Sequence, residues 1–265
     1  MKKNTASDIL QKKKSNQKIT ALSTYDYAFA KLADESGADI ILVGDSVGMV
    51  QLGYNSTLPV TMDEMLHHTK AVSRAVKQAL LVADMPYKTY ETAVSSIKSA
   101  RRFIEEAKAN AVKLEGGEKV LKQVKALTRL GIAVMGHLGM LPQSIEKTGG
   151  YKVQGKDKKD ADQMLKDAQA LEAAGAFSIV LECVPYELAK KITQAVKIPT
   201  IGIGAGPHCD GQILVLHDLL GFKSTVSPRF VRKYADFDSL ARKAIRDFRS
   251  DVEAEKFPSL KESFE

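Results

Sequence analysis

Only two cysteines, Cys183 and Cys209, occur in 265 residues. So few thiols exclude a disulfide framework and suit a reducing compartment. No run of about 18 apolar residues is present, so no membrane-spanning helix is expected. The early lysines (Lys2, Lys3, Lys12, Lys13, Lys14 and Lys18) are not followed by the apolar stretch of a secretory leader. A cytoplasmic address is the expectation that remains. Zinc-finger spacing, RNP-like aromatic motifs and arginine-rich runs are all missing. The net charge of +7 therefore reads as a basic solvated surface, and no nucleic-acid partner is expected.

What is present is an ordinary globular composition, 44% hydrophobic and 27% charged. Short β-branched runs alternate with longer amphipathic stretches. The strand-like runs are 19–25, 39–44, 79–84, 111–115, 132–137, 177–182 and 198–203. Helical spacing links Leu121, Val124, Leu127 and Thr128, and again Leu188, Ile192, Ala195 and Val196. Thr61–Glu64 and Asp160–Gln163 have the spacing of helix-starting capping boxes. Alternation of this kind implies parallel strands with helical crossovers, and continuous apolar strands imply a sheet covered on both faces. The fold class expected is α/β, a (β/α)₈ TIM barrel, with residues 1–265 forming one domain. The only candidate for an eighth strand is 223–228, ahead of a final helix near 237–256. An open doubly wound sheet is the alternative. Two long connections, 45–60 and 138–159, extend the face where barrels bind ligands and read as binding loops or lids.

Charged residues stand at the strand ends. Asp45, Asp84, Glu115 and Glu182 end strands two, three, four and six, and His137 ends strand five. Lys113 lies two residues before Glu115 and so shares its side of the strand. A single acid after a strand is more often a cap or an ion-pair partner. A barrel, however, gathers all these ends around one cavity. Several carboxylates in a desolvated cavity, offset by one lysine, leave a negative excess that a divalent cation would neutralise. Oxygen ligands select Mg²⁺, Mn²⁺ or Ca²⁺. Such an ion can chelate a 2-keto acid and stabilise the charge formed when the adjacent C–H is lost. Lys113 suits the substrate carboxylate. Glu182, beside Cys183 and Val184, is expected in a less polar setting than Asp45 or Glu115 and is the best candidate base.

At these residues the chain resembles the ketopantoate hydroxymethyltransferase family. The stretches that carry the resemblance include TYDYAFAKLADESG (24–37), ILVGDSVGMVQLGYNSTLPVT (41–61), LLVADMPY (80–87), AVKLEGG (111–117), GHLGMLPQS (136–144), GGYKVQGK (149–156), LECVPYELAK (181–190) and IGIGAGPHCDGQILVLHDLLG (201–221). The resemblance implies that Asp45, Asp84 and Glu115 hold Mg²⁺. It also implies that Asp45, Ser46, Asp84 and Lys113 contact the keto acid, and that Glu182 accepts the proton. The implied co-substrate is 5,10-methylenetetrahydrofolate and the implied assembly a homo-oligomer, commonly a decamer.

Three rival readings start from other residues. Gly44-Asp45-Ser46-Val47-Gly48 matches G-x-S-x-G after a strand, but that motif requires an immediate helix, and a long loop is expected here. Lys113 would suit a Schiff-base aldolase only if its pKa were depressed, and the surrounding acids push it up. Gly202-Ile203-Gly204-Ala205-Gly206 is not a dinucleotide fingerprint; it serves either an anion site or a tight turn. The histidines His67, His68 and His208 read as structural or exposed. Ser46→Ala is expected to leave measurable turnover. Complete loss of activity in a folded variant would reinstate Ser46 as a nucleophile.

Overall fold

The structure, a computed structural model, describes residues 3–144, 152–222 and 228–264. Eight parallel strands pair in chain order and close on themselves. They are β1 (Ile19–Ser23), β2 (Ile40–Val43), β3 (Leu80–Asp84), β4 (Ala111–Glu115), β5 (Ala133–Gly139), β6 (Ser178–Glu182), β7 (Thr200–Ile203) and β8 (Gly211–Val215). β1 and β8 complete the ring, in register from Ile19↔Gly211 to Ser23↔Val215. Among the described residues the α-helices are α1 (Ala6–Lys14), α2 (Tyr27–Glu35), α3 (Val47–Val50), α4 (Met62–Ala75), α5 (Ala93–Arg101), α6 (Leu121–Arg129), α7 (Lys158–Ala173), α8 (Tyr186–Ala195), α9 (Leu216–Leu220) and α10 (Phe237–Glu253).

The barrel expectation is met, but its eighth strand is Gly211–Val215 rather than 223–228. Residues 223–227 lie outside the described residues. The strand escaped the sequence pattern because β7 and β8 are joined by residues 204–210 alone, with no crossover helix. Gly204 and Gly206 turn this link with φ of +64° and +80°. A side chain at Gly206 would stand 2.4 Å from Tyr186 Cβ. The turn is thus the role the glycines visibly serve. A second correction concerns α7. Asp157, not Asp160, caps it, its carboxylate accepting from the Asp160 amide at 2.9 Å. The Thr61–Glu64 capping box forms as expected.

Alternate residues of the strands fill the barrel. Ile19, Ala21, Ile40, Leu42, Leu80, Val82, Ala111, Met135, Val180, Ile201 and Ile213 form one buried apolar cluster. α1 completes it at the end where the strands begin, with Ile9 fully buried in the cluster and Ala6 and Leu10 packed against it. Polar bonds hold this plug in place. Lys12 pairs with Asp39 at 2.6 Å, and Lys13 with Asp210 at 2.9 Å. Lys18 Nζ donates to the Cys209 carbonyl. Three of the early lysines therefore fasten the base of the barrel.

The chain separates into two compact units, Met1–Leu216 and His217–Glu265. In the second, the rings of His217, Phe222 and Phe237 form a row with centroids 5.3 and 5.7 Å apart. Tyr234 N donates to Leu219 O at 2.8 Å. Among the described residues no helix is long and apolar enough to cross a membrane.

Ile9→Ala should lower stability by about 2–5 kcal/mol in urea unfolding, because the rigid strand ends cannot collapse around the void. A loss below about 1 kcal/mol would show that the plug contributes little.

Candidate active site

The same alternation that buries the apolar layers delivers polar groups at the opposite end. In β3 the inward series is Leu80, Val82, Asp84; in β4 it is Ala111, Lys113, Glu115. β5 gives Met135 then His137, and β6 gives Val180 then Glu182. Strand register then sets the neighbours. Asp84 faces Lys113 across β3–β4, and Glu115 faces His137 across β4–β5. Asp45 comes from the turn after β2, and its backbone N–H donates to Asp84 Oδ2 at 3.3 Å.

These groups lie out of water. Asp45, Asp84, Lys113, Glu115 and His137 are all buried. Lys113 Nζ meets both oxygens of Asp84 at 2.6 Å. His137 bridges two acids, with Nδ1 3.5 Å from Glu115 Oε1 and Nε2 3.2 Å from Glu182 Oε2. Both contacts fall outside hydrogen-bond alignment. Glu182 is the more open acid: its side chain is 15% exposed against 2% for Glu115. The expectation of a drier setting for Glu182 is therefore corrected. Glu182 is the last residue of β6, and Cys183 turns away with φ of +50°, a conformation costly for a residue with a Cβ. Gly139 permits the tight approach of β5 here, since a Cβ on it would lie 2.1 Å from Glu182 O.

Burial, and then the charges of Asp84 and Glu115, raise the Asp45 carboxyl well above its usual range; Lys113 and Gln143 oppose this. Burial also raises Asp84, with Lys113 opposing. Burial alone would lower Lys113, but Asp84, Glu115 and Asp45 outweigh it and hold the ammonium protonated. That argues against a nucleophilic amine. For His137 burial is likewise outweighed, by Glu115 and Glu182, and its pKa rises to about 9.

Ser46 lies beside Asp45 but points into another contact, its Oγ 2.8 Å from Tyr25 Oη. A short helix, α3, does follow Ser46, contrary to the long loop expected. The serine hydroxyl nonetheless meets a phenol rather than an imidazole. Gly44 is small because a Cβ there would lie 3.0 Å from Ser46 Oγ and 3.1 Å from Ser23 Oγ. His68 is structural, its Nδ1 2.8 Å from the Tyr25 carbonyl.

Sequence patterns missed Gln143 and Tyr90. Gln143 Nε2 donates to Asp45 Oδ2 at 2.9 Å, and its backbone N–H donates to Glu115 Oε2 at 3.1 Å. Tyr90 Oη donates to Gln143 Oε1 at 2.6 Å. The one available signal was that Gln143 falls inside the GHLGMLPQS stretch.

Residues 3–260 match the family described as ketopantoate hydroxymethyltransferase. The chain belongs to that family. It is 55% identical over 265 residues to the 3-methyl-2-oxobutanoate hydroxymethyltransferase of Clostridium kluyveri, covering 100% of this chain and 95% of that one. Identity to the Carboxydothermus hydrogenoformans enzyme of the same name is 53% over 261 residues, covering 98% and 95%. Solved structures similar in fold include the phosphoenolpyruvate phosphomutase of Streptomyces platensis subsp. rosaceus (TM-score 0.65, 15% identity, 95% and 88% covered). Another is phosphonopyruvate hydrolase in complex with oxalate and Mg⁺⁺ (TM-score 0.63, 16% identity, 98% and 93% covered). At such identities these two speak for the barrel alone.

The donor set at this site bears on whether a divalent cation fits. Among the described residues no three His, Cys, Asp or Glu side chains form a ready-made metal cluster. Mg²⁺ does not require one, since it is commonly held by one or two carboxylates with water and substrate. Glu115 Oε1 is buried with no hydrogen-bond partner, and the neighbouring donors are hard oxygens. The residues fit such an ion.

The raised groups give a pH signature. A group whose pKa is higher folded than unfolded stabilises the fold fully below its unfolded value, about 4 for Asp and about 6.5 for His. That stability is lost as pH rises through the folded value. In EDTA the melting temperature should therefore fall as pH rises from about 5 to 9, and Mg²⁺ should restore more of it at the alkaline end. A Mg²⁺ effect independent of pH would contradict this electrostatic picture.

Proposed function

We propose that this enzyme transfers a hydroxymethyl unit from 5,10-methylenetetrahydrofolate to 3-methyl-2-oxobutanoate, giving 2-dehydropantoate, the first committed step of pantothenate and coenzyme A biosynthesis. One observation carries the chemistry: acidic groups outnumber cationic ones in a buried barrel mouth. Family membership supports the choice of substrates.

In this reading Asp45 and Asp84, with Glu115, hold a Mg²⁺ ion. When bound, the ion draws negative charge onto the keto oxygen of the substrate. Lys113 commits its ammonium to Asp84 at 2.6 Å and directs remaining donor capacity to the substrate carboxylate, which Ser46 also contacts. Glu182 takes the proton from C3. The C3–H bond breaks, an O–H bond forms on Glu182, and the freed electron pair delocalises toward the keto oxygen. Water releases the one-carbon unit from the folate as formaldehyde, both C–N bonds of the methylene bridge breaking and tetrahydrofolate leaving. The C3 electron pair then forms the C–C bond to that carbon, whose oxygen takes the proton held by Glu182 and becomes the hydroxyl. His137, 3.2 Å from Glu182 Oε2, steadies the base. The rim position of Glu182 suits a group that must reach a carbon rather than line the ion.

The connection 138–159 is proposed as a binding loop for the folate; its residues 145–151 lie outside the described residues. We keep residues 1–265 as one functional domain, because the family match runs through both compact units. We place the enzyme in the cytoplasm, in keeping with its sparse thiols. A homo-oligomer, with a decamer as the implied assembly, is supported by apolar residues left exposed on α10. Leu240, Ile245, Phe248 and Val252 recur there at helical spacing.

Deuterium exchange at C3 of 3-methyl-2-oxobutanoate, followed by proton NMR without folate, tests the first half of the reaction. Exchange should require Mg²⁺, and Glu182→Gln should slow it by roughly 10²–10⁴-fold. Equal exchange in EDTA would sink the metal role, and unchanged exchange in the variant would sink the base.

A further inference from the structure

Gln143 touches both acids that flank the Lys113–Asp84 pair. It is 4% exposed and sits in the one-turn helix Pro142–Ser144 that follows β5. Its side-chain amide has two protons. One goes to Asp45 Oδ2 at 2.9 Å and the other to the Met85 carbonyl at 3.0 Å. Its backbone N–H goes to Glu115 Oε2 at 3.1 Å.

The amide could in principle present either end to Asp45. Tyr90 decides which. Its hydroxyl lies 2.6 Å from Gln143 Oε1 and accepts from the Glu115 N–H at 3.4 Å, so its own proton is free to go to the amide oxygen. With the oxygen so engaged, the NH₂ must face the carboxylate. One oxygen of each acid is thereby occupied. The other oxygen of Glu115, Oε1, remains buried without a hydrogen-bond partner. A ligand oxygen held in this way loses its freedom to rotate, which is how outer-shell partners sharpen metal sites.

We propose that Gln143 is a positioning residue for the divalent-cation site, orienting Asp45 through an amide that Tyr90 locks. The inference rests on the metal reading given above. It assigns a role to two neutral residues with no direct part in that chemistry. It also ties the connection after β5 to the ion, since Gln143 is carried by that connection.

The test is Mg²⁺ binding to the full-length enzyme by calorimetry, with no keto acid or folate. Gln143→Met keeps the volume and removes the amide; it should weaken Mg²⁺ binding by about 10–100-fold. Tyr90→Phe is the milder variant and should weaken binding in the same direction by a smaller factor. The double variant should bind no worse than Gln143→Met, since both changes act through one amide. Melting temperatures in EDTA, measured alongside, separate positioning from packing. If variants melt lower but bind Mg²⁺ within about twofold of the parent, Gln143 is merely structural and the proposal falls. Additive losses in the double variant would also overturn it. A parent enzyme that binds no Mg²⁺ would overturn the metal reading itself and this inference with it.

Discussion

Four carboxyl groups and two cationic side chains share the mouth of the barrel, most of them removed from water, and the site is organised around that imbalance. Isolated buried charges are costly, so each is given a partner where the backbone allows. Strand register gives Asp84 its lysine and Glu115 its histidine. Asp45, which enters from a turn, has no facing cation and receives an amide instead. What remains unbalanced is negative, and on the proposed reading a divalent ion completes it. The same excess keeps Lys113 protonated, which speaks against an amine nucleophile at this site.

Much of this was legible in the sequence because parallel strands impose a strict period. Residues two apart share a side, so Lys113 and Glu115 had to accompany each other. Continuous apolar runs ended in acids at matching positions, and a barrel turns matching positions into neighbours. The strand ends at 84, 115 and 182 were read to the residue. β8 was not, since its usual herald, a crossover helix, is replaced by a short glycine turn. α7 was placed slightly late, because Asp157 and Asp160 are both acceptable caps and only geometry chooses between them.

The least legible residues were the neutral ones. Tyr90 and Gln143 sit in connections, where no periodicity marks them, and neither carries a charge that would make it conspicuous. Their importance lies in directional bonds to groups distant in the chain: Gln143 meets Asp45 across 98 positions. The drier setting expected for Glu182 failed for a related reason. Flanking residues in sequence, Cys183 and Val184, say little about solvent access when Cys183 takes a left-handed backbone conformation straight after the strand.

The helix that stoppers the base of the barrel has a consequence for traffic. With Ile9 seated among the first residues of the strands and the apolar layers packed above it, the buried acids cannot be reached through the base of the barrel. On the proposed reading, the keto acid and its donor therefore both approach from the side where the strands end. Entry and departure then share one side, so the two molecules compete for the same approach.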